Sequence, residues 1–134
     1  MSDEAEAGLK HTVLIADDDD TARTLLKSVL QASGLRVVAE AADGRQALND
    51  AQRLQPDVVC LDIDMPQMSG LDVLARLRVD NSKLVALVIT ASPTAKNVRE
   101  AIQVKADGVI AKPFNQAKIK SEIDRALKRK HLLK

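Results

Sequence analysis

The chain has 134 residues, 46% of them hydrophobic and 29% charged, which suits one soluble domain with a buried core and leaves no room for two. A formal net charge of +1 excludes a nucleic-acid grip driven by bulk electrostatics, and a single aromatic residue, Phe114, excludes a base-stacking surface.

Residues 1–10 are polar and patternless, and read as a loose extension. Thr12-Val13-Leu14-Ile15-Ala16 is a short apolar run rich in β-branched residues, the mark of a strand. A helix follows with Ala22, Leu25, Leu26, Val29 and Leu30 on one face, closed by Ser33-Gly34. Leu35 to Ala39 reads as the second strand. Asp43-Gly44 opens a helix carrying Ala47, Leu48, Ala51 and Leu54, which stops before Pro56. The third strand is Asp57 to Leu61, and a loop from Asp64 to Gly70 leads to a helix around Leu71, Leu74 and Leu77.

Leu84 to Ile89 is the most apolar strand. The next helix presents Val98 and Ile102 and ends near Asp107-Gly108. Val109-Ile110-Ala111 is the weakest strand, and a last helix runs from about Asn115 through Ile119, Ile123 and Leu127 into a basic tail at 131–134. The cations Arg125, Lys128, Arg129, Lys130, His131 and Lys134 read as solvated charges favourable to a helix C-terminus. Five strands alternating with five helices predict an α/β domain over 11–130, a parallel sheet covered on both faces.

Cys60, the only cysteine, sits inside the apolar run of the third strand and reads as a buried core thiol, so no internal disulfide forms. No run approaches the roughly 18 apolar residues of a membrane span, and the acidic start is unlike a signal peptide. For a complete chain the expectation is a cytoplasmic protein without membrane contact.

In an open parallel sheet, ligands bind beyond the carboxyl ends of the strands, so the residue after each apolar run is informative. The first run ends at Asp17-Asp18-Asp19-Asp20, the third at Asp62 with Asp64 behind it, the fourth at Thr90, the fifth at Lys112-Pro113. The second ends at Ala39-Glu40-Ala41-Ala42, which fits an edge strand away from a site. Asp19 or Asp20 serves as an ordinary N-cap. Asp17 and Asp18 lie closer to the strand, where packed carboxylates call for a cation. Mg²⁺ suits them, because it takes oxygen ligands and usually one or two carboxylates plus phosphate oxygens. Asp62, Thr90 and Lys112 together form a phosphorylation site: a carboxylate nucleophile, a hydroxyl and an ammonium for the transferring oxygens.

Val13-Leu14-Ile15-Ala16-Asp17-Asp18-Asp19, the run from Asp57 to Gly70, Val88-Ile89-Thr90-Ala91, and the run from Ala106 to Phe114 resemble the receiver domains of two-component response regulators over about residues 11–130. The resemblance implies a doubly wound, flavodoxin-like sheet of order 2-1-3-4-5. It implies Asp62 as phosphoacceptor and Asp17 and Asp18 as the acidic Mg²⁺ pocket, with Asp64 giving its backbone carbonyl to the metal. It further implies Thr90 as switch hydroxyl and Lys112 as phosphate-pairing lysine before a cis peptide to Pro113. Arg23 matches a common family position in the first helix. The implied function is a bacterial signalling switch in a phosphorelay, promoting its own phosphorylation and dephosphorylation rather than turning over a substrate. Its partners would be a histidine kinase or histidine phosphotransfer protein and a downstream protein, and its state monomer or weak dimer. One departure bears on output: Val109 stands where the family usually has Tyr or Phe, so no ring can follow the threonine inward. Asp64 and Ser92, each two residues past a site residue, would border the path of the attacking water.

Three rival readings stand beside this one. Asp62-Ile63-Asp64 resembles the Asp-x-Asp of haloacid-dehalogenase-type phosphatases, but there the acidic metal pair comes last and here it comes first. The chain could be the receiver part of a longer regulator with a DNA-binding or enzymatic output domain. A receiver acting unphosphorylated as an adaptor is weakened by the intact acidic, threonine and lysine set.

Overall fold

The computed structural model describes residues 10–130. Residues 1–9 of the extension read at 1–10, and the tail at 131–134, lie outside the described residues. The elements are β1 (Thr12–Ala16), α1 (Asp20–Ala32), β2 (Arg36–Ala41), α2 (Gly44–Leu54), β3 (Val58–Asp62), α3 (Gly70–Asp80), β4 (Val85–Thr90), α4 (Ala95–Gln103), β5 (Gly108–Ala111) and α5 (Gln116–Arg129). All five strands are parallel and their order is β2-β1-β3-β4-β5.

Period-two alternation along the central strands sends side chains into two separate cores. Leu14, Val59, Leu61, Ala86 and Val88 face α2 and α3, meeting Ala47, Leu48, Val73 and Leu74. Val13, Ile15, Val58, Leu87 and Ile89 face α1 and α5, meeting Leu26, Leu30, Ile119 and Ile123. β3 and β4 are buried at every position, which is why their sequences are apolar without a break. Cys60 lies in the second core, and burial pushes its thiol up to about 12, so it behaves as a small apolar residue.

Local chemistry fixes the helix starts. Asp19, Asp43, Ser69, Thr94 and Asn115 each stand in extended backbone and accept a first-turn N–H, so each satisfies a donor the helix leaves orphaned.

The structure corrects the expected faces and ends at several points. β2 runs on through Glu40 and Ala41, because pairing with Ile15 and Ala16 overrides the weak strand preference of Ala-Glu-Ala. Leu25, Leu54 and Ile102, read as core-facing, are 51%, 36% and 66% exposed. In α4 the buried contact is Ala101, and the helix ends at Gln103, with Val104 and Ala106 packing beneath it. A small residue lets the helix lie close to the sheet, which leaves its larger side chains outside.

Candidate functional site

The parallel ladders bring four strand ends to one edge. Ala16 pairs with Leu61, Asp62 with Ile89, and Thr90 with Ala111, so Asp17, Asp62, Thr90 and Lys112 emerge in one layer. Asp17 is buried and its N–H is spent on the Ala41 carbonyl at 3.0 Å. Its Oδ1 accepts the Asp19 N–H at 2.9 Å and its Oδ2 accepts Lys112 Nζ at 2.7 Å. Asp62 is buried as the last residue of β3, with Lys112 Nζ 3.5 Å from its Oδ2 and the Asp64 N–H 3.4 Å from its Oδ1. Asp18 is exposed, yet one oxygen from each of Asp17, Asp18 and Asp62 lies within 4.8 Å of the others.

Of the residues read from the sequence, the structure gathers Asp17, Asp18, Asp62 and Lys112. Asp64 stays near through its backbone, while its side chain is exposed and outside the acidic cluster. Thr90 is fully buried, and its hydroxyl accepts the Ser92 N–H at 2.9 Å, so its own loop engages it. Val109 is half-buried against the core beneath α2 and α3. The Lys112–Pro113 peptide is cis.

One functional contact escaped the sequence. Arg23 donates through Nη1 to the Asp17 carbonyl at 2.7 Å, ties Asp20, and lies 3.5 Å from Glu40, which also holds Lys27 at 3.1 Å. Glu40 therefore helps hold the loop that carries the acids. Its only sequence signal was a charge directly after the second apolar run.

Burial, and next the charge of Asp17, push Asp62 up to about 6, against the opposing pull of Lys112 and the Asp64 N–H. Burial also draws Lys112 towards neutrality, but its hydrogen bond to Asp17 and the charge of Asp62 outweigh this and raise it above the usual lysine value. Two buried carboxylates beside a third acid, with one ammonium between them, remain short of positive charge. An all-oxygen donor set of this size fits a small divalent cation.

Without metal, the upward shift of Asp62 lowers the stability of the folded state. Below about pH 4 both folded and unfolded chains carry Asp62 protonated, and it costs nothing. As pH rises from there to about 6 the unfolded chain ionises first, so the native state loses ground; above 6 the loss is constant. Asp62→Asn removes that penalty. In EDTA at pH 7.5 the variant is expected to be about 1–2 kcal/mol more stable than the parent, discounted for residual solvent screening, and equal to it near pH 4. Urea melts at the two pH values check this, and a less stable variant at pH 7.5 would refute it.

The comparisons agree with this geometry. The family model described as response regulator receiver domain matches residues 13–124. The chain belongs to the response regulator receiver family. The receiver is 34% identical over 116 residues to the chemotaxis protein CheY of Listeria monocytogenes, covering 87% of this chain and 98% of that protein. It is 36% identical over 119 residues to CheY-3 of Vibrio cholerae, covering 87% and 92%. Its fold superimposes on the CheX–CheY–BeF₃–Mg²⁺ complex of Borrelia burgdorferi with a TM-score of 0.85 at 26% identity, covering 92% of this chain and 93% of that one. The receiver is a signalling module of the phosphorylation-dependent, two-component class and not an enzyme of the ordinary kind, which sets aside the dehalogenase-type phosphatase reading. Among the described residues no helix is long and apolar enough to cross a membrane.

Proposed function

We propose that this receiver accepts a phosphoryl group on Asp62 and passes the signal on by protein contact. The observation that carries the reading is a buried carboxylate at the end of β3, flanked by Asp17, Asp18 and the Lys112 ammonium. A side-chain oxygen of Asp62 attacks phosphorus, and the bond from phosphorus to the donor's imidazole nitrogen breaks. The imidazole, protonated on its other ring nitrogen beforehand, leaves as a neutral base, and the product is an acyl phosphate. Asp17, Asp18, Asp62 and the Asp64 carbonyl would hold Mg²⁺, which would supply neutralising charge for the transferring oxygens. Lys112 exchanges part of its pairing with Asp17 for a phosphoryl oxygen, and Thr90 gives up its loop contact to donate its hydroxyl to another.

Arg23 and Glu40 keep the Asp17 backbone in place while charge is added beside it. The exposed side chains of Asp64 and Ser92 border the approach of water and set the lifetime of the acyl phosphate. Val109 gives output no aromatic partner for Thr90, so the signal leaves through the loop after β4. The functional unit is residues 11–130, between the extension at 1–10 and the tail at 131–134. Its partners are a histidine kinase or histidine phosphotransfer protein and one downstream protein, in the cytoplasm, with the receiver a monomer or weak dimer.

The test is intact mass spectrometry after incubation with acetyl phosphate, with Mg²⁺ or with EDTA. One phosphoryl addition is expected, requiring Mg²⁺ and lost in Asp62→Asn. Addition that persists in Asp62→Asn would place the acceptor elsewhere.

A further inference from the structure

A groove of about 630 Å³ lies at the opposite edge of the sheet from the acidic cluster. The six residues of β4 separate the two edges by about 20 Å. The groove is formed where α3 and α4 end, β5 begins, and the last turn of α5 closes over them. Its apolar lining is Ala75, Val79, Val104 and Ala106. Val79 is 82% exposed, a large aliphatic side chain with nothing over it. The rim is basic, with Arg78, Lys105, Arg129 and Lys130 against a single acid, Asp107.

Most of that positive charge is used by the fold. Arg78 bonds the carbonyls of Lys105, Asn81 and Leu84, and Lys130 bonds those of Ser82 and Leu84; both also pair with Asp107. Lys105 is different. Its side chain is exposed, and among the described residues it makes no hydrogen bond or ion pair. Its backbone holds φ at 65°, a left-handed conformation that favours glycine, while Arg78 pins its carbonyl at 2.7 Å and 3.1 Å. Gln55 also has positive φ, but there the side chain returns a hydrogen bond to the Gln52 carbonyl. At Lys105 the left-handed backbone closes α4, with the Lys105 N–H on the Ile102 carbonyl and the Ala106 N–H on the Ala101 carbonyl, both at 2.9 Å, so the fold uses its backbone and leaves its ammonium free for a partner.

We propose that this groove docks an acidic segment of a partner protein, its apolar side chain on Val79 and Val104 and its carboxylates against Lys105 and Arg129. Charge complementarity selects the occupant: the rim carries four cations to one acid, and that acid is already matched by three of them. Nucleic acid is disfavoured, because the lining has no aromatic side chain and Asp107 would face the phosphates. A lipid surface is disfavoured because the site is concave, shaped for an inserted side chain. The groove stands apart from the Asp62 site, so the inference holds whether or not Asp62 is the acceptor.

The experiment titrates the isotopically labelled full chain with a short acetylated peptide of glutamate and leucine, the leucines at helical spacing, followed by amide NMR shifts. The expected shifts centre on Val79, Lys105, Ala106 and Arg129 and weaken with added salt. Lys105→Glu is expected to bind about tenfold more weakly, as rim charge reversals do. Lys105→Gly is expected to bind more weakly while its melting temperature holds or rises, since glycine relaxes the left-handed backbone. Amide spectra unchanged outside the groove check that both variants fold. Shifts elsewhere, no shifts at millimolar peptide, or equal affinity of Lys105→Glu would overturn the proposal. So would perturbation of the groove by anionic phospholipid vesicles but not by peptide, which would make it a membrane surface.

Discussion

Asp107→Ala is expected to lower the unfolding free energy of the receiver by about 3 kcal/mol, the lower end of what breaking a buried ion pair costs. The carboxylate is 5% exposed and stands at the junction of four elements. It accepts the Ala86 N–H at 2.8 Å at the start of β4, Arg78 of α3 at 2.9 Å, Arg129 of α5 at 2.6 Å, and Lys130 at 3.2 Å. Removing it leaves a buried N–H unpaired and three cations facing one another. The lower end of the range applies because Arg78 and Lys130 keep their backbone carbonyl partners. Asp107→Asn retains an acceptor for Ala86 and loses only the charge, so its cost is expected to be about half as large.

The titration behaviour adds a pH signature. Burial alone would raise Asp107, but the Ala86 N–H and the charges of Lys130 and Arg129 outweigh it and hold the carboxyl below its usual value. The crowding also explains Lys130, which is lowered: burial and the repulsion of Arg78 and Arg129 exceed what one shared carboxylate returns. Because the folded value of Asp107 is depressed, its stabilisation is present above about pH 4 and is lost as pH falls through the folded value. Parent and Asp107→Asn are therefore expected to differ most near neutrality and to converge in acid. Urea melts from pH 7 downwards measure this, and a difference under 1 kcal/mol at pH 7 would show that the hub adds no net stability.

Asp107 also marks where the sequence stops being legible. Its partners lie 29 residues before it and 22 after it, with no periodicity linking them, so it read only as a helix end. The basic residues of α5 likewise read as solvated charge, although Arg129 and Lys130 fasten the helix to Asp107 before β5, and Lys130 also to the loop between α3 and β4. The strand ends were legible for a physical reason. A strand covered on both faces must be apolar throughout, so the first polar residue after it falls at the edge where ligands bind. That rule located Asp17, Asp62, Thr90 and Lys112, and the ladder registers bring them into one layer. It worked least well at β2, an edge strand whose faces are only half covered, and there Glu40 was passed over. Helix faces were misjudged where a small residue made the contact, as Ala101 does in place of Val98 or Ile102.

The close approach behind Asp62 was invisible for the same reason, since a glycine has no side chain to announce it. Gly70, the first residue of α3, lies so near β3 that an added Cβ would stand 2.1 Å from the Asp62 carbonyl oxygen and 3.2 Å from the Leu61 Cβ. Its φ is not positive, so the requirement is for space and not for conformation. The Gly70 N–H also donates to the Ile63 carbonyl at 3.0 Å, which fixes the helix start against the strand end. A methyl group there has backbone on its near side, which cannot rotate away. Gly70→Ala is expected to cost about 3 kcal/mol, the upper range for overpacking. It is also expected to slow phosphoryl uptake by about tenfold or more, because the displaced strand end carries the acceptor and 1 Å of misplacement suffices for such losses. Gly34→Ala is the control. Gly34 has φ of 91° with nothing within 4 Å of an added Cβ, so the change strains the backbone by about 1 kcal/mol and leaves uptake unchanged. If Gly70→Ala lost stability but kept its uptake rate, the β-ladder alone would be holding Asp62, and the packing of α3 against it would serve stability only.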